Sequence, residues 1–129
     1  MNINDLTFAV IGCAYKVHNV LGPGFLEKVY ENALTLELKR QGINARQQVK
    51  LPVFYEGERV GLYFPDLWIE DLLIVEIKAV RTLIPEHEIK LLHYLTATGI
   101  DNGLLINFGL SVQIKRKFRE YNPCVRKYI

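Results

Sequence analysis

Residues 72–80 read Leu-Leu-Ile-Val-Glu-Ile-Lys-Ala-Val. The run is apolar on both faces apart from two charges, which is the composition of a strand buried in the middle of a sheet. Side chains alternate along a strand, so Glu76 and Lys78 point to one face, in the company of Leu72 and Ile74. An ionised carboxylate in that setting is costly unless it is paired or holds a metal.

Just upstream, residues 60–69 read as a partner strand, with Glu70-Asp71 as the tight connection. Folding this hairpin puts Asp66 opposite Val75 or Glu76, on a face shared with Phe64 and Trp68. Opposed residues on one face have Cβ atoms ~4.5–5.5 Å apart. In the second register two carboxylates meet on an apolar sheet face, with an ammonium close by. Carboxylates that near repel, raising one pKa, and a hard divalent cation removes the repulsion. Mg²⁺ takes oxygen ligands and binds through one or two carboxylates plus substrate phosphates. Such an ion polarises a phosphoryl oxygen and lowers the pKa of a bound water. Lys78 would then orient that water or neutralise charge developing on the phosphate. The competing reading is a structural salt bridge from Lys78 to Asp66 or Glu76.

The rest of the chain frames this hairpin. Ile3, Leu6, Val10, Cys13, Val17 and Val20 recur at helical spacing, predicting a helix over residues 4–20 that stops at Gly22-Pro23-Gly24. A second helix is expected over residues 26–40, with Gly42 beyond its end. Its apolar arc is Leu26, Val29, Ala33 and Leu36, widened by Tyr30 and Leu34. Glu27 lies at the edge of that arc in the first turn, where the helix dipole favours a carboxylate. Glu37 falls inside it and needs a partner, Lys78 or a tyrosine hydroxyl. Residues 47–55 read as a strand, closed by a turn at residues 56–58. Pro85 opens a third helix and Gly99 closes it. Glu86, Lys90 and Tyr94 share one of its faces. Either Lys90 and Tyr94 stand beside a scissile phosphate, or Glu86 and Lys90 form an ordinary surface pair. Residues 104–108 and 112–118 complete the strands. The order ααβββαββ predicts an α/β fold with a mixed β-sheet flanked by helices, the third helix making a right-handed crossover to a parallel strand.

Bulk properties are consistent with one domain over residues 1–129. Half the residues are apolar and 23% are charged, with a net charge of only +2. Lys115, Arg116, Lys117, Arg119, Arg126 and Lys127 crowd the C-terminal end, either to meet phosphates or as a solvated face. Cys13 and Cys124 form neither a disulfide framework nor a zinc spacing. His87-Glu88 opens like H-E-x-x-H but lacks the second histidine, which argues against a zinc hydrolase. His18 reads as a capping or packing residue. The N-terminus has no secretory pattern, and its longest apolar run falls far short of the ~20 residues that span a bilayer. The expected setting is the cytoplasm, away from membranes.

The stretch from Val17 to Tyr30, carrying Gly24, Glu27 and Tyr30, resembles the signature of the bacterial GxxExxY proteins. Asp66, then Val75 to Val80, then Leu104 to Gly109 follow in the same order, so the likeness covers about residues 5–118. That family is grouped with the PD-(D/E)xK nucleases. The resemblance implies a restriction-endonuclease-like core and a nuclease centre using Mg²⁺ or Mn²⁺. Asp66, preceded by Pro65, with Glu76 and Lys78, would supply the motif, and Glu27 the helical acid. The backbone carbonyl of Ile77 would join Asp66, Glu76 and Glu27 as a metal ligand. Lys90, Tyr94 and Tyr30 would contact the substrate. Lys90 stands where the family often has glutamine, and lysine cannot accept a hydrogen bond. The expected partner is nucleic acid, DNA before RNA, with a homodimer as one way to span a duplex. The alternative is a catalytically silent binding or assembly module on the same fold.

Overall fold

The computed structural model describes residues 1–120. Its elements run α1 (Ile3–Leu21), α2 (Glu27–Arg40), β1 (Ala45–Gln47), β2 (Leu51–Tyr55), β3 (Glu58–Tyr63), β4 (Leu67–Ile69), β5 (Leu73–Lys78), α3 (Pro85–Thr98), β6 (Asn102–Phe108) and β7 (Val112–Phe118). The central sheet has the order β1-β4-β5-β6-β7, and β2 and β3 pair only with each other. Strands β5 and β6 are parallel, joined through α3, and the other neighbours are antiparallel.

Alternation along β5 assigns the two faces. Leu73, Val75 and Ile77 join Leu6, Val10, Val17, Leu34 and Leu38 in one core under α1 and α2. Ile74 turns the other way, into a second core with Leu91, Tyr94 and Leu95 of α3 and Leu51 of β2. Glu76 and Lys78 therefore belong to the α3 face. Helix α1 begins where the Asn2 side chain accepts the Asp5 N–H at 2.8 Å and ends at Gly22, whose φ of 73° suits glycine. Cys13 is buried in the α1 core, as its position in the helical pattern predicts.

Two expected strands are each broken in two. The stretch 47–55 splits at Gln48, whose φ of 53° is left-handed. The stretch 60–69 splits around Pro65, which has no N–H to give to a ladder. The breaks face each other, since the Gln48 N–H donates to the Asp66 carbonyl at 3.1 Å. Both chains leave the central sheet at this level and reappear as the separate β2–β3 hairpin.

Helix α2 buries Tyr30, Leu34 and Glu37 as expected but is turned away from the rest of its expected arc. Leu26, at 79% exposure, Val29 and Leu36 face outward, and the inner face is Tyr30, Glu31, Leu34, Glu37 and Leu38. The acids are tolerated because both are paired. Glu37 takes Lys16 at 3.2 Å and Arg40 at 3.1 Å, not Lys78 or a tyrosine, and the Lys16 bond leads in holding its carboxyl below the usual range.

The basic C-terminal cluster is largely committed. Lys115 and Lys117 pair with Glu88, Arg119 pairs with Asp101, and Arg116 donates to Asn4 and Asn102. Cys124, Arg126 and Lys127 lie outside the described residues. No described helix is long and apolar enough to cross a membrane.

Candidate active site

The β4–β5 hairpin turns on Glu70 and Asp71, both with positive φ, 53° and 54°. They are the central residues of a tight turn closed by the Leu72 N–H on the Ile69 carbonyl at 2.9 Å, and Leu72 is one residue more in the connection, which pairs Ile69 with Leu73. Leu67 then faces Val75 and Trp68 faces Ile74, and the next step brings Asp66 to Glu76. The Asp66 N–H donates to Glu76 Oε1 at 3.1 Å, and the Ile77 N–H donates to Asp66 Oδ2 at 2.8 Å. The register is thus the one in which two carboxylates meet.

Glu76 is 2% exposed. Burial above all, and then the Asp66 charge beside it, push its carboxyl up to about 9. Lys90 on α3 offsets part of this. The same carboxylates act on Tyr94, whose hydroxyl is raised well above its usual range, first by burial and then by Glu76 and Asp66. Lys78, half-buried at the end of β5, makes no ion pair among the described residues. The salt bridge that competed for it is therefore not formed.

A polar network from α2 and the β1–β2 break supports Asp66. Gln48 Nε2 donates both to Asp66 Oδ1 at 3.1 Å and to Glu31 Oε1 at 3.0 Å. Gln47 Nε2 at 2.7 Å and Lys28 Nζ at 2.8 Å complete the shell of Glu31. Sequence reasoning missed Glu31, Gln47 and Gln48. The signal for Glu31 was its spacing from Leu34 and Leu38, which puts it on their face. No local pattern announces the glutamines, because their partners lie far along the chain.

Glu27, the expected helical acid, is exposed at the start of α2 and has no part in this network. Among the described residues no three His, Cys, Asp or Glu side chains cluster to hold a metal ion. The expected convergence of Asp66, Glu76 and Glu27 is not formed. Tyr30 is also not placed to touch a substrate, because it is fully buried. Its ring stacks on Phe108 at 4.6 Å, and its hydroxyl donates to the Gly22 carbonyl and accepts the Phe25 N–H. The tyrosine holds the Gly-Pro-Gly loop. Lys90 lies over the Tyr94 ring at 5.7 Å, and with Glu86 the two line a cavity of about 290 Å³. The shared face of α3 is thus formed, and Glu86 and Lys90 do not pair.

Below this site Asn107, fully buried, takes both backbone groups of Val80. Its Oδ1 accepts the Val80 N–H at 2.9 Å and its Nδ2 donates to the Val80 carbonyl at 2.8 Å. This clamp fixes the path of the chain as it leaves β5. Next to it, a Cβ on Gly109 would sit 2.9 Å from that carbonyl, so the position admits only glycine's bare backbone.

The family model of the PD-(D/E)XK nuclease superfamily matches residues 4–120. The chain belongs to that superfamily. Its mixed sheet between helices is the restriction-endonuclease-like core. The solved structure of SSO0001 is similar, with a TM-score of 0.59, 18% identity, and coverage of 76% of this chain and 52% of that one. The chain thus spans about half the length of that protein. An alkaline exonuclease from Laribacter hongkongensis matches with a TM-score of 0.47 and 12% identity, over 83% of this chain and 76% of that one. No curated protein matches the chain.

The donor set of this site fits a divalent cation. Asp66 and Glu76 are adjacent hard oxygen donors, and the second is buried where its charge needs compensation. Mg²⁺ commonly binds through one or two carboxylates and keeps its other positions for water and phosphate.

Proposed function

We propose that the protein is a metal-dependent nuclease of the GxxExxY group that hydrolyses phosphodiester bonds in DNA. One observation carries the reading: Asp66 and Glu76 are joined at the end of the β4–β5 hairpin while Lys78 beside them is unpaired among the described residues. The side chains of Asp66 and Glu76, with the carbonyl of Ile77, would hold Mg²⁺ or Mn²⁺. When bound, the ion supplies charge neutralisation and a more acidic water. Asp66 keeps its orientation through the Ile77 N–H and Gln48. Lys78 orients the attacking water and offsets charge on the phosphate. Hydrolysis adds water across one P–O bond, leaving a phosphomonoester and an alcohol. Glu27 receives no ligand role in this scheme, because it is exposed at the helix start.

The test is cleavage of supercoiled and linear DNA in Mg²⁺, Mn²⁺ or EDTA. Cleavage is expected with metal only. Asp66→Ala and Lys78→Ala should each lower it by roughly 100-fold or more, as loss of a transition-state charge partner does, with folding retained. Undiminished cleavage in both variants would sink the proposal.

The absence of a third clustered carboxylate among the described residues favours a second reading, a binding or assembly module without turnover. Calorimetric titration separates the two. Metal binding that disappears in Asp66→Asn supports the nuclease, and no metal binding supports the module.

A further inference from the structure

On the α3 side of the sheet lies a groove to which no role has been given. It runs between the β2–β3 hairpin and α3, with a volume of about 740 Å³. Leu51, Val53 and Phe54 form one wall, and Leu92, Thr96 and Ala97 the other. Tyr63, Ile89 and His93 line both this groove and the smaller cavity that ends at Lys90 and Tyr94. The two spaces therefore adjoin, and the smaller one is lined by Lys90 and Tyr94 of α3, the helix that covers the Ile74 and Glu76 face of β5.

We infer that the groove receives unpaired nucleobases of a single-stranded substrate, seating the strand so that its phosphate enters beside Glu76 and Lys90. The inference rests on the nuclease reading and names its substrate class. Three observations support it. First, Phe54 stands at the groove 44% exposed, and Tyr63, 46% exposed, is braced edge-on against Tyr94 at 5.6 Å, which leaves ring surface on both for stacking. Second, the volume suits a ligand of base or nucleotide size, within the ~300–1,000 Å³ of ordinary ligand sites. Third, a base can lie on these rings only when it is free of a duplex stack, and single strands are held by such stacking together with contacts to their phosphates. Lys90 is the lysine or arginine among the described residues lining either cavity and stands ready for such a contact.

The test measures binding in EDTA, so that no turnover is needed. A short fluorescein-labelled oligothymidylate, the same strand as a duplex, and an abasic strand of equal length are titrated with the protein by anisotropy. The single strand should bind tighter than the duplex. Phe54→Ala, and Thr96→Phe which fills the groove from the helix side, should each weaken single-strand binding by about 5- to 100-fold, the range for losing one stacked base. The abasic strand should show the same loss on the unmodified protein and no further loss with Phe54→Ala. Unchanged affinity in both variants, an abasic strand bound as tightly, or a preference for duplex would each overturn the inference. So would Phe54-dependent self-association in sedimentation, which would give the groove to a second copy of the chain. The two readings fail separately. DNA cleavage with Phe54-independent binding removes the groove alone, and Phe54-dependent strand binding without cleavage removes the nuclease reading alone.

Discussion

Replacing Glu76 by glutamine should make the metal-free protein less sensitive to alkali. The carboxyl is buried beside Asp66 and titrates at about 9 in the folded chain, against an ordinary value of 4.5. The folded state therefore binds this proton more tightly than the unfolded state does. The resulting stability is fully present below 4.5 and is lost as pH rises toward 9. Each pH unit within that window corresponds to about 1.4 kcal/mol. Glutamine carries no such titration, and its side-chain oxygen can still accept the Asp66 N–H. Between about pH 6 and pH 8 in EDTA the wild type should thus lose about 3 kcal/mol relative to Glu76→Gln. That corresponds to a gap in melting temperature widening by about 10 °C for a chain of this size. Urea unfolding followed by circular dichroism at the two pH values measures it. Parallel pH profiles for the two proteins would refute the reasoning, because Glu76 would then be charged in both states or bonded differently from the arrangement described.

Three further outcomes follow from other parts of the structure. Asn107→Leu strips the clamp from Val80 and should destabilise the protein by about 2–4 kcal/mol in urea titration, as leaving enclosed backbone groups unbonded does. Tyr30→Phe keeps the stack on Phe108 but loses both hydroxyl bonds, so it should cost about 1–3 kcal/mol while leaving nucleic-acid affinity unchanged by anisotropy. Glu56→Asn should raise the urea midpoint by roughly 0.5–1 kcal/mol equivalent, because Glu56 is left-handed at φ 48° before Gly57 at φ 84°.

The hairpin that carries Asp66 and Glu76 was legible because its information is local. An apolar run interrupted by two same-face charges, next to a tight turn, leaves two registers, and Leu72 in the connection selects the one that sets Asp66 against Glu76. The third helix was readable for a similar reason, since Pro85 and Gly99 punctuate it at both ends. The orientation of α2 was legible only in part. Apolar spacing chose Leu26, Val29 and Leu36 as well as Tyr30, Leu34 and Glu37, and of these the last three are buried, together with Glu31, which the spacing did not pick out. The partners of Glu31 and Glu37 are Gln47, Gln48 and Lys16, contributed by other elements that a helical wheel does not contain. The strand breaks escaped notice in the same way. Gln48 has no intrinsic preference for a left-handed backbone, and it adopts one where its N–H meets the Asp66 carbonyl.

Those facing breaks make the carboxylate pair and the wall of the groove separable. Everything between Gln48 and Asp66 departs from the central sheet and returns to it at almost one point, with the two ends a hydrogen bond apart. Within that excursion the strands bond only to each other. The segment is thus an exchangeable cassette. A longer, shorter or differently lined hairpin could be spliced in at the same junction without moving Asp66 against Glu76, so the lining of the groove could change while the carboxylate pair stays fixed.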